Sequence, residues 1–138
     1  MMEILPALLD TDILSAIMRQ DPTVISKAQP YLTEYEQFKF SIITRYEILR
    51  GLKAKKAAIQ IVAFERFCAA NMILPLTDEI IVKASEIYAF LRQSGQLIGD
   101  ADILIASTAL INKLSVVTNN LNHFGRISEL QIQNWLQQ

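Results

Sequence analysis

Ala7-Leu8-Leu9-Asp10-Thr11-Asp12-Ile13-Leu14 is the stretch on which the fold turns. Three apolar residues end abruptly at a carboxylate, which reads as a short buried strand. The apolar residues that follow, Ile13, Leu14, Ile17 and Met18, recur at helical spacing over residues 11–19. A strand, an acid and a helix in direct succession suggest an α/β unit. Outward from it the same alternation repeats. Asp21-Pro22 reads as an N-cap with proline in the first helical turn, opening a helix to about Tyr35. Pro30 weighs against the second half of that helix.

Further along, residues 38–41 read as a second strand, and residues 44–52 and 53–70 as two helices. Met72-Ile73-Leu74 is a third short strand before Pro75. Thr77 caps a helix whose first turn carries Asp78 and Glu79 and which runs to about Gln93. Ser94-Gly95 breaks it. Gly99-Asp100 opens a helix to about Asn112, Ser115-Val116-Val117 is a strand, residues 118–126 are a polar loop, and residues 130–133 form a last edge strand. Strands alternating with helices predict a parallel sheet covered on both faces. The expected fold class is α/β, with a small parallel sheet of four to five strands flanked by helices.

The chain has 138 residues, which fits a single domain, 1–138. Apolar residues at 51% and charged residues at 20% exclude a disordered chain. One cysteine, Cys68, excludes a disulfide framework, and one histidine, His123, argues against a histidine-based metal site or a Ser-His-Asp triad. Glu3 stands where a secretion signal would be basic, and no apolar run reaches membrane-spanning length. The expected location is cytoplasmic, with no membrane partner.

In open parallel sheets, ligands bind beyond the carboxyl ends of the strands. After the first strand come Asp10, Thr11 and Asp12; after the second come Thr44 and Glu47; Asp100 and Asp102 open a helix; after the Ser115 strand come Thr118, Asn119 and Asn120. Taken singly, each acid has a structural role open to it. Asp10 and Asp100 fit as N-caps, Asp12 as a first-turn acid, and Glu47 closes a Thr-x-x-Glu capping box with Thr44. Asp102 fits less well as structure, because apolar Ile103-Leu104-Ile105-Ala106 follows it. Gathered at one edge, the acids would repel one another and would call for a hard divalent cation. That chemistry suits phosphodiester hydrolysis.

Leu8-Leu9-Asp10-Thr11-Asp12, the segment Ser41-Ile42-Ile43-Thr44-Arg45-Tyr46-Glu47-Ile48-Leu49-Arg50-Gly51, Asp102-Ile103-Leu104-Ile105-Ala106-Ser107, and Val117-Thr118-Asn119-Asn120 with Phe124 resemble the PIN domain. More narrowly they resemble the VapC-type ribonuclease toxins of bacterial toxin–antitoxin pairs. The resemblance covers almost the whole chain in order. It implies a PIN-like fold and a metal-dependent endoribonuclease using Mg²⁺ or Mn²⁺. Asp10, Glu47 and Asp102 match the family's first three acids, with Asp10 and Asp102 as metal ligands and Glu47 orienting or deprotonating water. Thr11, Asp12, Asp100, Thr118, Asn119 and His123 stand as supporting residues. At the fourth acid the pattern departs: Asn120 and His123 occupy the two alternative positions. That removes one carboxylate from the second-metal position. Asn120 remains a candidate catalytic residue through hydrogen bonds to phosphate or carboxylate, and His123 fits a loop histidine, a phosphate contact or a ligand.

Arg45, Arg50, Lys53, Lys55 and Lys56 stand against one acid, Glu47, while the rest of the chain has eight cations and thirteen acids. This local excess reads as a basic shoulder for an RNA backbone, or as a solvated helix face. The resemblance further implies an RNA substrate such as tRNA, a cognate antitoxin protein and a homodimer. The apolar positions of residues 11–35 and 53–70 would supply the partner groove, or ordinary core. Two other readings stay open. Asp10-Thr11-Asp12 and Gly99-Asp100 also resemble haloacid-dehalogenase-type phosphatase motifs, although Asp102 follows that pair more closely than in that family. A PIN fold short of its fourth acid would also serve as a non-catalytic interaction module. A receiver domain fits less well, because Asn119-Asn120 replaces the expected lysine.

Overall fold

The three residues of β1, Ala7–Leu9, are fully buried because the sheet is covered on both sides. Ala7 and Leu9 enter one apolar cluster with Phe40, Phe64 and Tyr31. Leu8 enters the other, with Ile105, Val116 and Phe124. Side chains alternate across a strand, so a short apolar run can feed two cores at once. The computed structural model describes residues 3–137. Among these, β1 joins β2 (Lys39–Ser41), β3 (Met72–Leu74), β4 (Ser115–Val117) and β5 (Ile132–Gln133) in one five-stranded sheet. The order is β3-β2-β1-β4-β5 and every pairing is parallel. The chain therefore steps outward from β1 to β3 and then crosses to β4 on the other side of β1. That reversal at β1 and β4 is the switch point at which α/β sheets open a crevice.

The helices are α1 (Thr11–Met18), α2 (Pro22–Tyr35), α3 (Ile42–Ala54), α4 (Ala58–Ala70), α5 (Asp78–Gln93), α6 (Asp100–Ile111) and the short α7 (Leu121–Phe124). Asp21 caps α2 by accepting from the Thr23 N–H at 2.9 Å. Pro30 does not end it. The ring sits on the exposed side, and Ala28 and Tyr31 on either side of it are buried. Packing of those neighbours outweighs the one lost backbone bond.

Several boundaries differ from expectation. Helix α3 starts directly at Ser41, whose hydroxyl accepts from the Ile43 N–H at 3.0 Å. It runs on to Ala54, and the break before α4 falls at Lys56, in the left-handed region at φ 54°. The expected polar loop at 118–126 contains α7, and the last strand shrinks to two residues. Helix α5 ends where expected, because Gly95 has φ 70°, a conformation cheap only for glycine.

One side chain fixes the start of β1. The Tyr31 hydroxyl accepts from the Ala7 N–H at 3.1 Å and donates to the Ala7 carbonyl at 3.2 Å. Strand β2 pairs only with Leu9, so the phenol completes the ladder at Ala7. Its ring lies 5.9 Å from Phe38 and 5.5 Å from Trp135, which ties the C-terminal segment to the same core.

Candidate active site

Asp10 leaves the end of β1 and caps α1, accepting from the Thr11 N–H at 2.8 Å. Thr118 leaves the end of the neighbouring strand β4 and donates its hydroxyl to the other Asp10 oxygen at 2.7 Å. Strands β1 and β4 pair in register at Leu9 and Val117, which is why these two residues meet. Asp10 is only 5% exposed. Burial, then the neighbouring Asp12 and more weakly Asp102, pushes its carboxyl up to about 7, against the opposing bonds from Thr118 and Thr11. Asp12 is also raised, first by burial, with the Asn119 N–H at 2.9 Å opposing. Its Oδ1 is buried without a hydrogen-bond partner.

Around this pair a continuous polar chain runs along the sheet edge. Thr11 donates to Glu47 Oε1 at 2.6 Å and lies 3.1 Å from the hydroxyl of buried Thr44. The Asn120 N–H donates to Thr118 Oγ1 at 2.9 Å. Its side-chain amide lies 3.0 Å from His123 Nδ1, which is 2.8 Å from Asp102 Oδ2. Asn134, just past β5, donates to Asn119 Oδ1 at 2.9 Å and steadies the loop after β4.

The tertiary structure thus separates roles the sequence leaves open. Asp10 caps α1 and also accepts from Thr118 across the sheet edge, so one carboxylate serves both arrangements. Glu47 closes no capping box with Thr44: Ser41 caps α3, and the Glu47 carboxylate takes the Thr11 hydroxyl. Thr44 itself, buried behind Thr11, was masked by that capping pattern. Asp100 is not the N-cap of α6, a place taken by Gly99, nor does it join the polar chain. It is exposed in a groove with Ile81, Tyr88 and Leu104, because two residues along a helix turn the side chain about 200° away from Asp102.

The basic shoulder also divides. Arg45 is not free for a phosphate: its guanidinium binds Glu65 at 2.5 Å and Cys68 Sγ at 3.2 Å. Arg50 sits at the rim, 3.8 Å from Glu47. Lys53 and Lys56 are exposed, and exposed Lys55 borders a groove between α1, α3 and α4.

Residues 7–130 match the PIN domain model, and those bounds take in every member of the polar chain except Asn134. The chain belongs to the PIN domain family. A relative over nearly its full length is the ribonuclease VapC2 of Haemophilus influenzae, 31% identical over 94% of this chain and 97% of that one. The ribonuclease VapC1 of Methanocaldococcus jannaschii is 37% identical over 67% of this chain and 66% of its own length. The same PIN architecture recurs in VapBC-1 from nontypeable Haemophilus influenzae, with a TM-score of 0.84, 27% identity and coverage of 95% and 98%. It recurs in VapBC2 from Rickettsia felis bound to a DNA fragment from their promoter, with a TM-score of 0.83, 27% identity and coverage of 94% and 98%.

The PIN fold implies a divalent metal, and the residues at the sheet edge fit one. Three carboxylates converge, two of them held above their ordinary acid range by burial, and one buried oxygen has no donor. Such a donor set is all oxygen, as Mg²⁺ and Mn²⁺ require. Among the described residues no three His, Cys, Asp or Glu groups form a ready-made metal cage. Mg²⁺ does not need one, since it keeps several waters and takes only one or two carboxylates beside substrate phosphate. Glu47 reaches this PIN site through Thr11.

Thr118 is the support whose removal this network makes most visible. Thr118→Val keeps the shape but strips Asp10 Oδ2 of its donor and the Asn120 N–H of its acceptor. The cation then competes with a more tightly held proton. Half-saturating Mg²⁺ at pH 7 is expected to rise roughly tenfold by isothermal titration, with Thr118→Ser restoring it. Unchanged affinity in the valine variant would remove Thr118 from the site.

Proposed function

We propose that this chain is a Mg²⁺-dependent endoribonuclease of the VapC type, the toxin of a toxin–antitoxin pair. The observation that carries the reading is buried Asp10 beside Asp12 and Asp102 at the β1–β4 switch point, a carboxylate cluster to which, among the described residues, no Lys or Arg is ion-paired and only His123 approaches Asp102. Membership of the PIN family and relatives named ribonucleases support it. Asp10 and Asp102 would hold the cation, with the unpartnered Oδ1 of Asp12 beside them. When bound, the metal supplies positive charge against the charge developing on the phosphodiester and makes a nearby water more acidic.

The chain's own residues do the rest. Thr11 engages Glu47 Oε1 and so leaves Oε2 to accept the attacking water's proton. The water oxygen adds to phosphorus, one P–O ester bond breaks, and the departing oxygen takes a proton from solvent. Thr118 and the Asn120 N–H keep Asp10 from turning away. His123 holds Asp102 in one orientation. Arg50 offers the rim's guanidinium to a phosphate oxygen.

The partner is an antitoxin protein. The open groove between α1, α3 and α4, lined by Met18, Ile48, Leu52, Ala63 and Phe64, would take an apolar segment of it. Most other apolar residues of α2 are core, as Val24, Ala28 and Tyr31 are. Exposed Ile81, Val82 and Phe90 on α5 suit a homodimer face. Among the described residues no helix is long and apolar enough to cross a membrane. The reaction is assigned to the cytoplasm because its RNA substrate is there.

Purified chain is expected to cut RNA with Mg²⁺, to lose cleavage entirely on chelation with EDTA, and to regain it when Mg²⁺ or Mn²⁺ is returned. Hydrolysis of p-nitrophenyl phosphate instead of RNA would move the assignment to a phosphatase. Mg²⁺ binding with no hydrolysis of either would leave an interaction module.

A further inference from the structure

Helix α3 carries a strip of which the chemistry above uses only Arg50. Ile42, Tyr46 and Arg50 are spaced four residues apart and share one exposed face. Tyr46 is 59% exposed, a large aromatic surface left in water, and it directly precedes Glu47. The Arg50 guanidinium lies 5.1 Å from the Tyr46 ring centroid and 3.8 Å from Glu47 Oε2. One planar cation therefore spans from the ring to the carboxylate that reaches the site through Thr11. Arg45 on the same helix is closed onto Glu65, so it does not compete for this role.

We propose that Tyr46 and Arg50 form a stacking platform for one unpaired RNA base beside the scissile phosphate. Such a platform accepts an unpaired base and excludes one held in a duplex. The physical case rests on three features. An exposed phenol ring offers a π-face of the kind on which unstacked bases lie. Arg50, already packed on that ring, loses little freedom on meeting the flanking phosphate. Arg50 ties the ring to Glu47, so a base lying on the ring brings its own backbone to the rim. In a duplex the base faces are occupied by neighbouring pairs and cannot reach the ring.

This inference rests on the ribonuclease reading, and the experiment separates the two. The probe is a short single-stranded RNA carrying 2-aminopurine, compared with its duplex, in the Asp10→Asn background so that the strand stays intact. Stacking on Tyr46 is expected to quench the fluorophore in the single strand only. Tyr46→Leu is expected to abolish the quenching and weaken binding about five- to a hundredfold, and Tyr46→Trp to restore both. With Asp10 present, the Tyr46→Leu loss falls on KM far more than on kcat. Arg50→Gln is expected to lower the salt dependence of binding by about one counterion. Equal binding by the leucine variant, or equal binding of duplex, overturns the proposal. So does a Tyr46→Leu chain that merely changes from dimer to monomer in sedimentation, which would make the ring a contact between copies. If the wild-type chain cuts no RNA yet Tyr46-dependent quenching persists, the ribonuclease reading falls and the platform stands. Cleavage with quenching independent of Tyr46 has the opposite consequence.

Discussion

Asp10→Asn is expected to abolish RNA cleavage and, at the same time, to raise the melting temperature at neutral and alkaline pH. The two effects share one cause. Asp10 is buried against Asp12 and Asp102, so its folded carboxyl holds a proton up to about 7, whereas the ordinary value is 3.8. Between those values the folded chain binds a proton that the unfolded chain has released. The contribution of Asp10 to stability is therefore most favourable below about pH 4, falls as pH rises toward 7, and stays low above it. The substituted amide carries no charge to bury, and its oxygen still accepts from the Thr11 N–H. The stability gain over wild type is expected to be near zero at pH 4 and on the order of a few kcal/mol at pH 8. Saturating Mg²⁺ raises the wild-type melting temperature and leaves that of the variant unmoved. Calorimetry at pH 4, 6 and 8, with and without Mg²⁺, reads all of this. A variant that cuts RNA at the wild-type rate, or a stability difference independent of pH, would remove Asp10 from the centre of the mechanism.

Tyr31→Phe is expected to cost about 2–4 kcal/mol and lower the melting temperature by roughly 10 °C. The ring stays, so its packing on Phe38 and Trp135 is retained. What goes is the hydroxyl that serves both backbone groups of Ala7, which have no β2 partner. Two buried polar groups are then left without partners, and each such group costs about 1–3 kcal/mol. Cleavage measured well below the new transition should change little, because Asp10 is held from β4 through Thr118. A loss under about 3 °C would mean that water replaces the phenol. A matching loss of activity at low temperature would mean that the start of β1 positions Asp10.

Much of the fold was legible because its signals are local. The Ala7–Leu9 run, the Asp21-Pro22 start, the Thr77 cap and the Ser94-Gly95 stop each act through their immediate neighbours. Every strand expected from the sequence is present, and apart from α7 inside an expected loop the errors are of boundary. The helix expected to about Tyr35 runs through Pro30 because the proline's local penalty is outweighed by burial on either side of it. The break after α3 was misplaced because Lys53 and Ala54 are good residues for a last turn.

The candidate site was less legible, since a side chain's role depends on partners far away in the chain. By itself the sequence determined the order of elements and put acids after apolar strands, since apolar patterning and capping depend only on near neighbours. Only the tertiary structure decided which polar groups share the edge. The register of β1 with β4 joins Asp10 to Thr118 across 108 positions, and the packing of α3 on α1 joins Thr11 to Glu47 across 36. Helical phase turned Asp100 away from Asp102, and the α4 residue Glu65 captured Arg45. Those outcomes are set by long-range geometry, which no spacing within one segment encodes.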